Sequence, residues 1–295
     1  MPDGNPSSAP DPPREREPRR RFANLKTRLS RLRALILTTL GVPRGFFSQY
    51  AYAEQLQPVS EPYPEIEALC ARAPWGVFLA DMASNREAFR TFGQSSTDPE
   101  LNRGMFPALD GMAAYAAVRR FRPNRIIEIG SGDSTHFLAR AVRDNGCGQI
   151  TCIDPQPRRS IGALDVNFLR RLMQEDDAEL AAQLERNDIL FVDSSHIMLP
   201  GMDVDIQFNR LFPRLRPGVL VHLHDVFLPD DYPARWRVRN YSEQNALIGW
   251  LLGGYFEILW PAQFALTQHR GAIETALGGI TPLTAGGSLW LRRPG

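Results

Sequence analysis

The stretch RIIEIGSGDSTHFLARAV, Arg125 to Val142, sets an apolar run, an acid, two glycines and a helical pattern in immediate succession. IIEI reads as a buried strand, and apolar residues at helical spacing begin again after Gly132. Gly130 and Gly132 let the backbone turn sharply and approach a ligand closely, which a Cβ would obstruct. The helix that follows, from Asp133 or Ser134, exposes N–H groups that favour an anionic ligand group. His136 stands where the dinucleotide fingerprint has its third glycine, which argues against a pyrophosphate.

Two acids narrow the ligand further. Glu128, just ahead of the glycines, repels phosphate and suits a cationic amino group, directly or through water. Asp154 closes the next strand, QITCID, where an acid meets ribose hydroxyls in nucleoside-binding folds. An amino-acid end and a ribose end together describe S-adenosylmethionine (SAM).

Beyond Arg125 strand and helix patterns alternate, which predicts an α/β fold with a mostly parallel, doubly wound sheet. Strands are expected at RIIEIG, QITCID, VNFLRR, DILFVDS, GVLVHLHDV, FEILWP and SLWLRR. Helices are expected near 134–145, 158–164, 175–186, 201–215 and 242–253. The preceding segments PEIEALCARA, WGVFLADMASNREAFRTF and PALDGMAAYAAVRRF also read as helices.

Ligands of open α/β sheets lie outside the carboxyl ends of the strands. DILFVDSSH brings Asp193 and His196 to one such end, and GVLVHLHDVF brings His222, His224 and Asp225 to another. Asp193, His224 and Asp225 offer an O/N/O donor set suited to Mn²⁺, Fe²⁺ or Zn²⁺ more than to Mg²⁺. His196 is the candidate general base, and His222, deeper in its strand, is the candidate core histidine.

The segments EIGSGDSTHFLA, ITCIDPQP, DILFVDSSH and RPGVLVHLHDVFLPDDYP, in this order, resemble the Rossmann-like SAM-dependent methyltransferases. The resemblance is to their small-molecule O-methyltransferase branch, of macrolide and catechol type, and covers roughly residues 105–295. It implies a seven-stranded sheet whose antiparallel last strand lies beside the fifth. It also implies that Glu128, Gly130, Ser131, Gly132, Ser134 and Thr135 hold the methionine part of SAM and Asp154 the ribose. Asp193 is counted with both cofactor and metal, and the adenine is expected near Pro155, Gln156 and the loop from Met173 to Asp176. The macrolide branch uses a histidine in the same D-x-S-H frame as His196 to take the acceptor's proton. His224 departs from that branch, which carries an acid at this place.

Composition excludes other chemistry. Of 34 basic residues only Lys26 is a lysine, so the body has no P-loop lysine, Schiff-base lysine or Tyr-x-x-x-Lys pair. Cys70, Cys147 and Cys152 are scattered, which suggests neither a disulfide framework nor a zinc cluster and points to a reduced, cytoplasmic setting. A net charge of +1 supplies no field to recruit nucleic acid. The charge is uneven, however: residues 1–45 carry ten basic groups against four acids.

Four regions follow from this reading: a disordered basic tail (1–22), a basic amphipathic helix (23–45), a helical cap (46–110) and a SAM-binding domain (111–295). The helix, with Leu25, Leu29, Leu32, Ile36 and Leu40 at helical spacing, suits packing on the body, a second copy in a homo-oligomer, or weak contact with an anionic membrane. Its apolar run is too short to span a bilayer. The expected function is methyl transfer from SAM to a small molecule, at a hydroxyl oxygen. A nicotinamide-dependent oxidoreductase, a metal-dependent hydrolase and a non-catalytic membrane-associated relative are the alternatives.

Overall fold

A computed structural model describes residues 23–42, 44, 51–52, 55–56, 59–101, 103, 105–283 and 285–295. The tail expected to be disordered, 1–22, lies outside the described residues. The chain divides into two units, Met1–Leu56 and Gln57–Gly295. In the first, helix α1 spans Ala23–Thr39.

The second unit is built on a seven-stranded sheet. Its strands are β1 (Arg125–Ile129), β2 (Gln149–Ile153), β3 (Asn167–Leu169), β4 (Ile189–Val192), β5 (Leu220–Leu223), β6 (Glu257–Pro261) and β7 (Leu289–Arg292). They lie in the order β3-β2-β1-β4-β5-β7-β6. β1 to β5 pair in parallel, and β7 runs antiparallel to both of its neighbours. The fold class and the place of the last strand are as the sequence implies.

Helices α2 (Pro64–Arg72), α3 (Trp75–Ser84), α4 (Arg86–Arg90) and α5 (Ala108–Phe121) precede the sheet. α6 (Asp133–Asn145), α7 (Ala178–Ala182), α8 (Asp203–Ile206), α9 (Glu243–Leu252), α10 (Ala262–Gln268) and α11 (Arg270–Leu277) follow in turn. The boundary expected at 110/111 falls inside α5, and the cap helices share one compact unit with the sheet.

Alternation along the strands sends side chains to two apolar layers. Ile126, Ile189, Phe191 and Leu220 face α3, α5 and α6, whereas Ile127, Ile129, Leu190, Val192, Val221 and Leu223 face the other side. Burying each of these side chains contributes about 1.5–3 kcal/mol. α5 lies close on α6 because Gly111 has no side chain: a Cβ there would sit 2.4 Å from the Phe137 ring.

Three helical expectations change. No helix forms at 158–164, where Pro157 and Gly162 break the pattern and the chain turns back over the glycine loop. The segment 175–186 is helical only as a 3-10 turn, Glu175–Asp177, running into α7. After α8 the chain widens into a π-type turn, Gln207–Leu211, and Pro213 holds the next turn to 3-10 form. α10 and α11 are additional: β6 runs straight into α10 at Pro261, with no intervening loop to mark it.

Candidate functional site

The glycine turn is pinched between the ends of β2 and β4. Gly130 N–H donates to the Ile153 carbonyl at 3.0 Å, and Asp193 N–H donates to the Ile129 carbonyl at 2.9 Å. Gly130 has φ +81°, and a Cβ on it would stand 1.9 Å from the Asp193 carbonyl oxygen. Glycine is required here because protein backbone, before any ligand, occupies the space.

Glu128 stands behind this turn rather than at its mouth. Its side chain is fully buried, and its oxygens accept from Ser134 Oγ and Thr135 Oγ1, each at 2.7 Å. The Cys152 thiol adds a contact at 3.2 Å, and Thr135 Oγ1 in turn accepts the Gly132 N–H at 2.9 Å. In the state described, the carboxylate shapes the loop through two buried hydroxyls and has no exposed edge to offer an amino group. Burial pushes its pKa up to about 7 against these hydrogen bonds.

A pH effect follows. The folded chain keeps the Glu128 proton up to about 7, and the unfolded chain releases it near 4.5. The folded state therefore binds the extra proton, so this group makes stability fall as pH rises from 4.5 to about 7. Glu128→Gln should remove that component, on the order of 3 kcal/mol at most. Urea midpoints measured across this range should fall with pH more steeply for the parent than for the variant; parallel curves would refute the assignment.

Asp154 lies at the mouth, at the end of β2. Its Oδ2 accepts the Ser131 N–H at 2.6 Å, and its Oδ1 accepts the Gln156 N–H at 2.6 Å. It thereby ties the turn after β1 to the loop after β2. His136, in the third-glycine position, is a clamp. Its ring nitrogens lie 3.1 Å from the carbonyls of Thr97 and Ser160, and burial lowers its pKa.

The second cluster stands beyond β4 and β5. Asp193 follows β4, His224 and Asp225 follow β5, and His196 and Asp225 hold φ of +61° and +54°. These left-handed conformations are strained for non-glycine residues and are typical of functional loops. The four side chains form a ring of alternating sign. His196 Nε2 is 3.5 Å from both Asp193 and Asp225, and His224 Nδ1 is 3.4 Å from Asp193 and 3.6 Å from Asp225. Among the described residues, no group of three or more His, Cys, Asp or Glu is gathered as a metal site.

Each imidazole is held from outside by a buried carboxylate that the sequence reading did not single out. His196 Nδ1 is 2.8 Å from Glu243 on α9, and His224 Nε2 is 3.3 Å from Asp110 on α5. Asp110 also accepts the N–H groups of Gly287 and Ser288, at 2.8 and 3.1 Å. Burial opposes charge on His196, but Asp193 and Glu243 outweigh it and raise its pKa to about 10. The same contest, with Asp193, Asp110 and Asp225 prevailing, lifts His224 well above the ordinary value. The two imidazoliums hold Asp193 well below the usual carboxylate range despite its burial. His222 is neutral: burial, then His224, lowers its pKa, it stacks on Phe191 at 3.8 Å, and it meets Ser288 Oγ at 2.8 Å.

Aromatic side chains wall the ring. Phe106, from the loop after α4, is 4.7 Å from His224, and Tyr241 is 4.6 Å from His196. Trp236 stands edge-on to Tyr241, with the Arg239 guanidinium 3.7 Å over its face and 3.7 Å from Asp225. The Arg237 side chain, in the same tract, lies outside the described residues. A surface groove of about 620 Å³, lined by Pro64, Glu67, Trp75, Phe264 and His269, is separate and includes none of these residues.

Comparison with known proteins finds similarity over part of the chain. Residues 127–226 match a family described as a methyltransferase domain. An uncharacterized protein of Archaeoglobus fulgidus is 33% identical over 111 residues, which is 36% of this chain and 39% of that protein. The match thus spans about two fifths of that relative's length. Among solved structures, the SAH-bound Podospora anserina methyltransferase PaMTH1 is similar at 18% identity and a TM-score of 0.42, over 85% of this chain and 100% of that one. The O-methyltransferase TomG from Streptomyces achromogenes, in complex with SAM, is similar at 18% identity and a TM-score of 0.37, over 74% and 90%. The matched segment, residues 127–226, contains Glu128, Ser131, Ser134, Thr135, Asp154, Asp193, His196, His224 and Asp225, whereas Asp110, Arg239 and Glu243, which reach the second cluster, lie outside it.

Proposed function

We propose that this protein transfers the methyl group of SAM to a hydroxyl oxygen of a small-molecule acceptor. The observation that carries the reading is Asp154 bound to the glycine turn at the carboxyl edge of the parallel strands, inside the segment that matches the methyltransferase family. Asp154 is assigned to the ribose hydroxyls. Gly130, Ser131 and Gly132 form the backbone cradle for the methionine part, with Ser134 and Thr135 at the first turn of α6. Glu128 supports that cradle from behind.

Methyl transfer to oxygen needs an aligned nucleophile, a proton acceptor and exclusion of water. The ring around His196 is assigned to the acceptor side, with Phe106, Trp236 and Tyr241 excluding water. A general base must be neutral before it can take a proton, and Asp193 and Glu243 keep His196 protonated at neutral pH in the state described. The cationic sulfonium opposes a second positive charge nearby, so base function for His196 is assigned to the cofactor-bound protein. Glu243 fixes the ring through Nδ1, which leaves Nε2 on the side of Asp193 and Asp225, the side assigned to the acceptor.

Asp193, His224 and Asp225 offer donor types of the Mn²⁺, Fe²⁺ or Zn²⁺ class, but in the state described they pair with one another and with His196 rather than gather as a metal site. Asp110 holds the outer nitrogen of His224, as carboxylates do for metal-binding histidines. An ion there would polarise the acceptor hydroxyl.

Titration of the protein with S-adenosylhomocysteine in a calorimeter should give saturable, micromolar binding. Absence of heat, together with enhanced NADH fluorescence, would replace this reading with the oxidoreductase.

A further inference from the structure

Helix α1 carries an apolar face that nothing in the methyl-transfer reading uses. Leu25, Leu29, Leu32, Leu35, Ile36 and Leu40 are each between 42 and 73% exposed. The spacing of Leu25, Leu29, Leu32 and Ile36, by four, three and four, puts them on one stripe of a 17-residue helix. Helical geometry sets Arg28 on one flank of this stripe and Arg33 on the other. Between residues 18 and 53 the chain has eight basic residues and no acid.

We propose that α1 lies in the surface of an anionic membrane, with its leucine stripe among the acyl chains and its arginines at the lipid headgroups. Charge decides the occupant. A second copy laid stripe to stripe would set arginine flank against arginine flank, with no acid in the segment to pair them. A nucleic acid would satisfy the arginines and leave the leucines in water. An anionic lipid surface satisfies both, since long basic side chains reach the headgroups while their neighbours bury apolar area. Among the described residues no helix is long and apolar enough to cross a membrane, so the contact is peripheral. This inference does not depend on what the second unit catalyses.

Co-sedimentation of the full chain with vesicles tests it. The protein should bind vesicles that mix phosphatidylglycerol with phosphatidylcholine, and should be left in solution by phosphatidylcholine alone. High salt should weaken the binding, because surface charge is screened. Leu29→Gln with Leu32→Gln should weaken it at least about tenfold, and Arg28→Gln with Arg33→Gln should do likewise. All four side chains are exposed, so the melting temperature should not move. No binding to the anionic vesicles, or binding that the leucine substitutions leave unchanged, overturns the proposal. A wild-type dimer in sedimentation that the leucine pair dissociates, without vesicle binding, assigns the face to a second copy and overturns it equally.

Discussion

Gly130→Ala should leave little or no folded protein. Two independent costs meet at this position. The backbone sits at φ +81°, which an L side chain adopts only under strain. The added methyl would also lie 1.9 Å from the Asp193 carbonyl oxygen and 2.7 Å from its carbon. Those are backbone atoms held by the β1–β4 ladder, so no side-chain rotation relieves the overlap. Separating the strand ends breaks the Asp193 N–H bond to Ile129 and opens the layer around Ile129 and Val192. A loss of more than about 4 kcal/mol is expected, large enough to consume much of a domain's stability. Gly76→Ala in α3 is the control: its Cβ meets nothing within 4 Å, and alanine there should be neutral or slightly stabilising. Soluble yield and thermal melts read both. A Gly130→Ala protein that melts within a few degrees of the parent would show that the strand ends are not packed as described.

Asp154→Ala should weaken S-adenosylhomocysteine binding about 100-fold or more, since hydrogen bonds to a charged group contribute about 1.5–3 kcal/mol each. The carboxylate serves the protein as well as the proposed ligand, because it holds the N–H groups of Ser131 and Gln156. Alanine therefore also loosens the turn, and affinity alone would not separate the two effects. Asp154→Asn keeps one carbonyl acceptor for the turn but sets its NH2 against the second N–H and removes the charge, so it should lose part of the parent's stability and still bind weakly. Calorimetry with both variants, alongside their melting curves, distinguishes them. Full affinity in either one would remove Asp154 from the nucleoside site, and the SAM assignment would lose its main support.

The layout of the sheet was legible because strand periodicity is local. IIEI, ITCI, ILFV and LVHL announce buried strands from residues a few positions apart, and chain order then restricts how a parallel sheet can be wound. The same locality exposed the residues at the strand ends: Glu128, Asp154, Asp193, His224 and Asp225 were visible as polar groups terminating apolar runs, and His196 three residues on. It failed where two signals compete. The segment at 158–164 has scattered apolar residues, but Pro157 and Gly162 turn it into the loop that meets His136 through Ser160.

What the linear pattern determined is therefore which residues stand at the carboxyl edge of the sheet, and that a basic leucine-striped helix precedes it. What only the tertiary structure decided is who holds them. Asp110 reaches His224 across 114 positions, and Glu243 reaches His196 across 47, each from a helix whose own pattern reports nothing but burial. Glu128 likewise reads as a ligand-facing acid until the hydroxyls of Ser134 and Thr135 are seen closing over it. The physical reason is the same in each case: periodicity records which face of an element is dry, whereas the partner of a buried charge is set by how distant elements pack together.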